Sequence, residues 1–175
     1  TTSQIAAIET TDVSILTTDQ LLSLNTQQMK ALTTDQIANL TSDQVASLTT
    51  ASLAVFSGNQ IAQLSTDALG AISTEGIALL STSQIVGLTT TQMASLSSSA
   101  FSTLNTKQIA ALETSDFVVL SVENIGLLTA FQTRGLTTAQ VSQLTTDAVA
   151  GLSTLAVAAL NTVQIASLST TQVAS

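Results

Sequence analysis

The sequence predicts an all-α repeat protein, a solenoid of very short helices with one helix in each eight-residue repeat. Three observations predict it: an uninterrupted period of eight, a helix-start signal in nearly every repeat, and an abundance of Leu, Ala and Gln. Each repeat would form a helix of about two turns, kinked from the next at the capping residue. Helices this short persist in water only by stacking on neighbours and burying apolar side chains together.

The period is defined by leucines. An apolar residue occupies every eighth position from Ile8 to Leu168, and eighteen of these twenty-one residues are Leu. A second apolar residue follows five positions later, except in the repeat where Thr133 stands. The phase is never interrupted, which predicts one continuous array of twenty-two repeats over residues 1–175. Because solenoid ends normally carry polar caps, we expect this array to be a segment of a longer protein.

The residues after each Leu carry the helix-start signal. The first is Thr, Ser or Asn, which are favoured N-caps, in twenty of twenty-two repeats. Gln follows three residues later in thirteen repeats and completes a capping box wherever the cap is Ser or Thr. Seven carboxylates fall at the second helical residue, where they meet the positive end of the helix dipole. They are Asp19, Asp35, Asp43, Asp67, Glu75, Glu123 and Asp147.

Two further features indicate how the helices end and stack. Five of the seven glycines occupy the last two positions before Leu, where a short helix is expected to end or bend. They are Gly70, Gly87, Gly126, Gly135 and Gly151. Asp19, Asp43 and Asp67 recur 24 residues apart, which fits three helices in each turn of the solenoid.

The alternative fold is a β-solenoid. Thr, Val and Ile favour strands, and stacked coils would form ladders of Thr and Gln. In a flat strand, however, the Leu and the apolar residue five positions later would point to opposite faces. Gly and Asn are also scarce at any fixed turn position. The helical solenoid is therefore the favoured prediction.

Composition narrows the classes of function. The chain has no Cys and no His, which removes thiolate and imidazole ligands and the usual proton shuttle near neutral pH. A net charge of -8 with only three cations argues against nucleic acid as a partner. No apolar run approaches the roughly eighteen residues that a membrane-spanning helix needs. We expect no enzyme activity and no cofactor, because no base accompanies the many hydroxyls, which are better explained as helix caps.

Sites for metal ions or haem are poorly supported by the sequence. Met29 and Met93 occupy the core position of the repeat and are expected to pack there rather than to ligate haem. Carboxylates are too sparse for a calcium loop, although weak calcium bridging of stacked Asp rows stays open. The pairs Glu9/Asp12 and Glu113/Asp116 are expected to provide solubility and helix-end charge.

Apolar residues outside the two core positions predict a contact surface. Twelve are expected to face partly outward: Ile15, Leu22, Val55, Leu79, Val86, Val118, Val119, Val122, Leu127, Phe131, Leu155 and Val163. Because apolar side chains on the outside of a rod mark association surfaces, self-association is predicted through eight of them. These eight are Ile15, Val55, Leu79, Val119, Leu127, Phe131, Leu155 and Val163. Phe131 is also expected to fill the space that Thr133 leaves in the core.

The repeats also carry a family resemblance. The octapeptides LTTDQIAN, LTSDQVAS, LNTKQIAA, LTTAQVSQ and LNTVQIAS resemble the repeats of very large, exported, adhesin-like bacterial proteins. The resemblance covers the whole chain and implies an extracellular or cell-surface structural role as a stalk, sheath or fibre. We therefore expect a non-enzymatic filament or stalk segment that associates with copies of itself. The alternative is a module that binds a surface, a glycan or ice through its Thr and Ser face.

Overall fold

The structure is a computed structural model that describes residues 1–174. All regular secondary structure in this range is α-helical. The helices are α1 (Thr2–Ala6), α2 (Thr10–Ile15), α3 (Thr18–Leu22), α4 (Thr26–Lys30), α5 (Thr34–Ala38), α6 (Ser42–Ser47), α7 (Thr50–Ala54), α8 (Gly58–Ile61), α9 (Thr66–Gly70), α10 (Thr74–Ala78), α11 (Thr82–Val86), α12 (Thr90–Ser95), α13 (Ser98–Ser102), α14 (Thr106–Ala111), α15 (Thr114–Val119), α16 (Val122–Gly126), α17 (Ala130–Gly135), α18 (Thr138–Ser142), α19 (Thr146–Gly151), α20 (Thr154–Ala159), α21 (Thr162–Ala166) and α22 (Thr170–Val173). The predicted fold class, one short helix in each octapeptide, is confirmed.

The corner between helices follows from the capping residue and the Leu before it. Wherever the N-cap is Thr, Ser or Asn, its side chain accepts a hydrogen bond from the backbone N–H three residues later, as at Thr49 and Ser57. The cap and the preceding Leu both have extended backbones, for example Leu48 (φ -60°, ψ 135°) and Thr49 (φ -73°, ψ 158°). These two residues turn the chain, so each helix stops after four to six residues.

Each helix packs on the third helix after it, from α1 on α4 through to α19 on α22. Three helices therefore complete one turn, and equivalent positions in successive turns lie 24 residues apart, as the recurring aspartates predicted. The rod has three long faces. The first face begins with α1, α4 and α7, the second with α2, α5 and α8, and the third with α3, α6 and α9.

One apolar core runs along the rod. The corner leucines and the fourth residue of helices α1 to α19 point into it, and Met29 and Met93 are fully buried there, as predicted. The fourth residues of the last three helices, Val157, Ile165 and Val173, are exposed instead. Thr133 is also fully buried, and its Oγ1 donates to the carbonyl oxygen of Thr129 at 2.9 Å. The expectation that Phe131 fills this position is wrong, because Phe131 is 73% exposed. Two residues along a helix correspond to a rotation of about 200°, so Phe131 and Thr133 lie on opposite sides of α17.

Four of the five glycines near the helix ends allow close packing between helices. Within residues 1–174 no residue has a positive φ, because the two extended corner residues already turn the chain. Gly87 instead approaches the backbone of Gly58 on the helix below, where an added Cβ atom would collide. Gly70, by contrast, faces open space. The helices do end at these five glycines, as predicted, but none of the five needs a positive φ to end its helix.

Candidate functional site: the glutamine ladder and the exposed apolar surface

The glutamine at the third position of a helix closes a capping box. In α12 the Oε1 atom of Gln92 accepts the N–H of Thr89 at 2.9 Å, and the Oγ1 atom of Thr89 accepts the N–H of Gln92 at 3.2 Å. All thirteen glutamines at this position form such boxes. They include the three whose N-cap is Asn25, Asn105 or Asn161, whereas the sequence predicts a box only behind a Ser or Thr cap. The predicted helix-start signal is thus confirmed and is broader than expected.

The same amides also tie successive turns together. The Nε2 atom of Gln92 donates to the carbonyl oxygens of Leu64 at 2.7 Å and Ile61 at 2.9 Å, both one turn below. Ten buried glutamines each donate to the carbonyl 28 residues earlier and to another 30 or 31 residues earlier. We call this set the glutamine ladder: Gln36, Gln44, Gln60, Gln84, Gln92, Gln108, Gln132, Gln140, Gln164 and Gln172.

Sequence reasoning missed this ladder, although a signal for it was present. Glu completes a capping box as well as Gln does, yet no repeat has Glu at the third helical position. Only the amide adds the two N–H donors that the carbonyls below require. Gln4 and Gln20 in the first turn and Gln28 at the start of the second turn cap their own helices, and Gln4 and Gln20 are exposed.

Four repeats carry a shorter polar side chain at the ladder position, namely Asp12, Ser52, Asp116 and Asn124, and the last two show what the shorter side chain loses. The Nδ2 atom of Asn124 reaches only the carbonyl of Leu96, at 3.4 Å, and its Oδ1 atom is buried without a hydrogen-bond partner. The Oδ2 atom of Asp116 accepts the N–H of Glu113 at 3.0 Å. The shorter side chains thus keep only part of the arrangement that glutamine completes.

The Asp116 carboxyl is a buried acid, and it is 2% exposed. Burial raises its pKa above the usual range, the backbone hydrogen bond from Glu113 opposes that rise, and the charge of Glu113 adds to it. The expectation that Asp116 provides solubility is therefore wrong, because Asp116 occupies the inward-facing position of the ladder. Its carboxyl does lie at the start of α15, where it accepts the N–H of Glu113.

The predicted outward-facing apolar residues are exposed, with one exception. Ile15 is 77% exposed, Phe131 and Leu155 are 73%, and Val163 is 65%. Leu79, Leu127 and Val119 are also exposed, as are Leu22, Val86, Val118 and Val122. Val55 is half-buried because it packs against the core. Self-association through the eight residues selected above stays a prediction.

The geometry offers little for catalysis or ion binding. Within residues 1–174, no three His, Cys, Asp or Glu side chains come together as a metal site. The helices of the same range include none long and apolar enough to cross a membrane. An open groove is lined by Lys30, Thr34, Val55 and Asn59 among others, but by no carboxylate, so it provides no acid–base pair. The expected absence of enzyme activity stays a prediction, as do weak calcium bridging and the glycan- or ice-binding alternative.

The comparisons with known proteins concern the repeat itself. A family model described as the ALTTAQ repeat matches residues 5–42, 61–98 and 109–146, more than half of the chain. Its motif appears here as ALTTDQ at 31–36 and GLTTAQ at 135–140, so its final Gln is a member of the glutamine ladder in both places. The search of curated proteins found no match. From the extent of the family match, this chain belongs to the ALTTAQ repeat family.

Proposed function

We propose that this chain is a non-enzymatic structural segment, a rod that forms part of an extracellular or cell-surface filament, sheath or stalk. The observation that carries the proposal is the glutamine ladder, which joins one turn of the rod to the next through buried hydrogen bonds. Each added turn repeats the same contacts, so the architecture gains length without needing a new kind of interaction.

The surface supports the same role. Only 8% of the residues are charged, and large apolar side chains such as Ile15, Leu79 and Leu155 stand exposed. Exposed apolar patches mark sites of protein association, which favours assembly of rods side by side. A filament or sheath uses such contacts, whereas a stalk uses the length of the rod alone.

Small-angle X-ray scattering of the purified chain tests the shape. Seven stacked turns at the usual helix packing distance give a rod on the order of 70 Å long, with the cross-section of a three-helix turn. The pair-distance distribution should be that of an elongated rigid particle. A compact sphere or an expanded flexible chain would contradict the proposal.

Electron microscopy of the source cells tests the location. Antibodies raised against this segment and detected with gold should label extracellular material on cells that have not been permeabilised. Ordered fibres with a helical repeat would identify a filament, whereas isolated threads would identify a stalk. Label that appears only after permeabilisation would rule out the extracellular role.

A further inference from the structure

An exposed patch on the second face combines positive charge with large apolar side chains. Lys107 lies on α14, Phe131 and Arg134 on α17, and Leu155 on α20, and these helices pack on one another in succession. The guanidinium carbon of Arg134 stands 5.7 Å from the centre of the Phe131 ring, within the range of a cation–π contact. Two of the three cations in the chain therefore lie on the face that carries this exposed ring, Arg134 against the ring itself and Lys107 on the neighbouring helix. We call these four residues the basic patch.

The third face carries the complementary surface near the other end of the chain. Asp19, Asp43 and Asp67 occupy the second position of α3, α6 and α9, which also pack in succession, and all three are exposed. Three residues further on, and thus on the same side of each helix, stand Leu22, Ala46 and Gly70. Gly70 has no atom within 4 Å of the position that a Cβ would take. We call these six residues the acidic strip. It is negatively charged, and the residues beside Asp43 and Asp67 are the small Ala46 and Gly70.

We infer that the basic patch of one copy of this chain binds the acidic strip of a second copy. The two rods lie side by side, point in the same direction and are staggered along their axes. The inference rests on the proposed function, since it identifies the surface through which a structural rod associates with itself. Charge complementarity identifies the partner. The chain has a net charge of -8, so two copies repel each other over most of their surface, and the basic patch is the place where a second copy is attracted.

The register of this contact follows from the repeat. When two such rods face each other in the same direction, the facing helices run in opposite directions across the interface. The second position of one helix then lies opposite the fifth position of the other. With α17 opposite α6, Phe131 meets Ala46 and Arg134 meets Asp43. One turn further along, Leu155 meets Gly70, so both large apolar side chains face small residues.

The contact is heterologous, because the two surfaces lie on different faces and in different halves of the chain. Every copy that binds through its basic patch still presents a free acidic strip. Contacts of this kind propagate into open assemblies unless the rotation between subunits closes a ring. The predicted product is therefore a staggered filament.

Sedimentation velocity over a range of protein concentrations tests the inference with two charge-reversal variants, Arg134→Glu and Asp43→Arg. The wild-type chain should self-associate, and less so at high salt, because salt screens exposed charges. Each variant alone places like charges against each other and should associate roughly tenfold more weakly. An equimolar mixture should recover association, because Glu at 134 then meets Arg at 43 while the two native surfaces still pair. Glu75→Arg is the matched control, since Glu75 is exposed at the same helical position on the first face.

Circular dichroism and melting temperature should show that every variant keeps the helical fold. Three results would each overturn the inference: a monomeric wild-type chain at all concentrations, unchanged association of both variants, or an equal loss in Glu75→Arg. A mixture that fails to recover association would also overturn it. A chain that stays monomeric would still scatter as an elongated rigid rod, so the structural role would remain standing. Failure of the rod measurement, by contrast, would remove both proposals.

Discussion

Gln92 and Asn124 occupy the same position in their repeats, and their side chains differ by one methylene group. At Gln92 a single amide accepts the N–H of its own N-cap and donates to two carbonyls in the turn below, at 2.7 and 2.9 Å. At Asn124 the same amide on a shorter side chain reaches one carbonyl at 3.4 Å and leaves its Oδ1 atom buried without a partner. Both side chains end in the same carboxamide group. The difference in their hydrogen bonds therefore comes from the length of the side chain. The hydrogen-bonded link between turns therefore depends on an amide at a fixed distance from the helix, and a shorter amide makes only part of it.

Replacing Gln92 with Glu should give the largest effect, because it keeps the reach and removes the donors. A buried carboxylate would face two carbonyl oxygens, and an uncompensated buried charge destabilises a protein by about 3–5 kcal/mol. Urea unfolding near neutral pH should show this loss. Acidification should restore part of the stability, since the protonated acid can donate again. The same substitution at exposed Gln20 is the control, and an equal loss there would contradict the role of the ladder.

Replacing Gln92 with Ala should have a smaller effect of about 2–3 kcal/mol. It leaves buried carbonyls of the turn below without their donor, at about 1–3 kcal/mol for each unsatisfied group. Gln20→Ala removes only a capping interaction and should cost no more than about 1 kcal/mol. Parallel urea titrations of the two variants give the comparison. Equal losses would mean that capping, and not the link between turns, is what stabilises the rod.

Lengthening Asn124 to Gln should stabilise the protein by about 1 kcal/mol, the usual net value of a well-formed hydrogen bond. The longer amide should satisfy its own oxygen through the N–H of Ser121 and reach the carbonyl of Leu96 at a normal distance. Differential scanning calorimetry should show a higher melting temperature. Asn124→Asp keeps the short reach, so it should not stabilise the protein. A lower melting temperature for Asn124→Gln would show that the site has no room for the longer side chain.

The smallest effect is expected at Asp116, and it depends on pH. Because burial raises its pKa in the folded protein, this group stabilises the fold fully below the pKa of an aspartate in the unfolded chain. That contribution is lost as the pH rises through the higher pKa of the folded state. Asp116→Asn removes this titration, so the melting temperature of the variant relative to wild type should rise between acidic and neutral pH. A difference that does not change with pH would contradict the raised pKa.

The sequence predicted the helix, its cap and the turn of three, because each depends on residues that stand close together or recur at a fixed spacing. Thr33 with Gln36 and the series Asp19, Asp43 and Asp67 are examples. The ladder was missed because the partners of Gln36, the carbonyls of Ile5 and Ile8, belong to backbone that any residue would provide. The orientation of Phe131 was predicted wrongly, because two residues along a helix are rotated by about 200° and Phe131 therefore cannot reach the core position that Thr133 occupies.

The ladder also has a direction, which affects how the chain is made. Each amide binds carbonyls only 28 to 31 residues earlier, so everything a new turn needs has already been synthesised when that turn emerges. Folding can therefore follow translation at a constant distance behind it, and an array of any length avoids the slow search for distant partners.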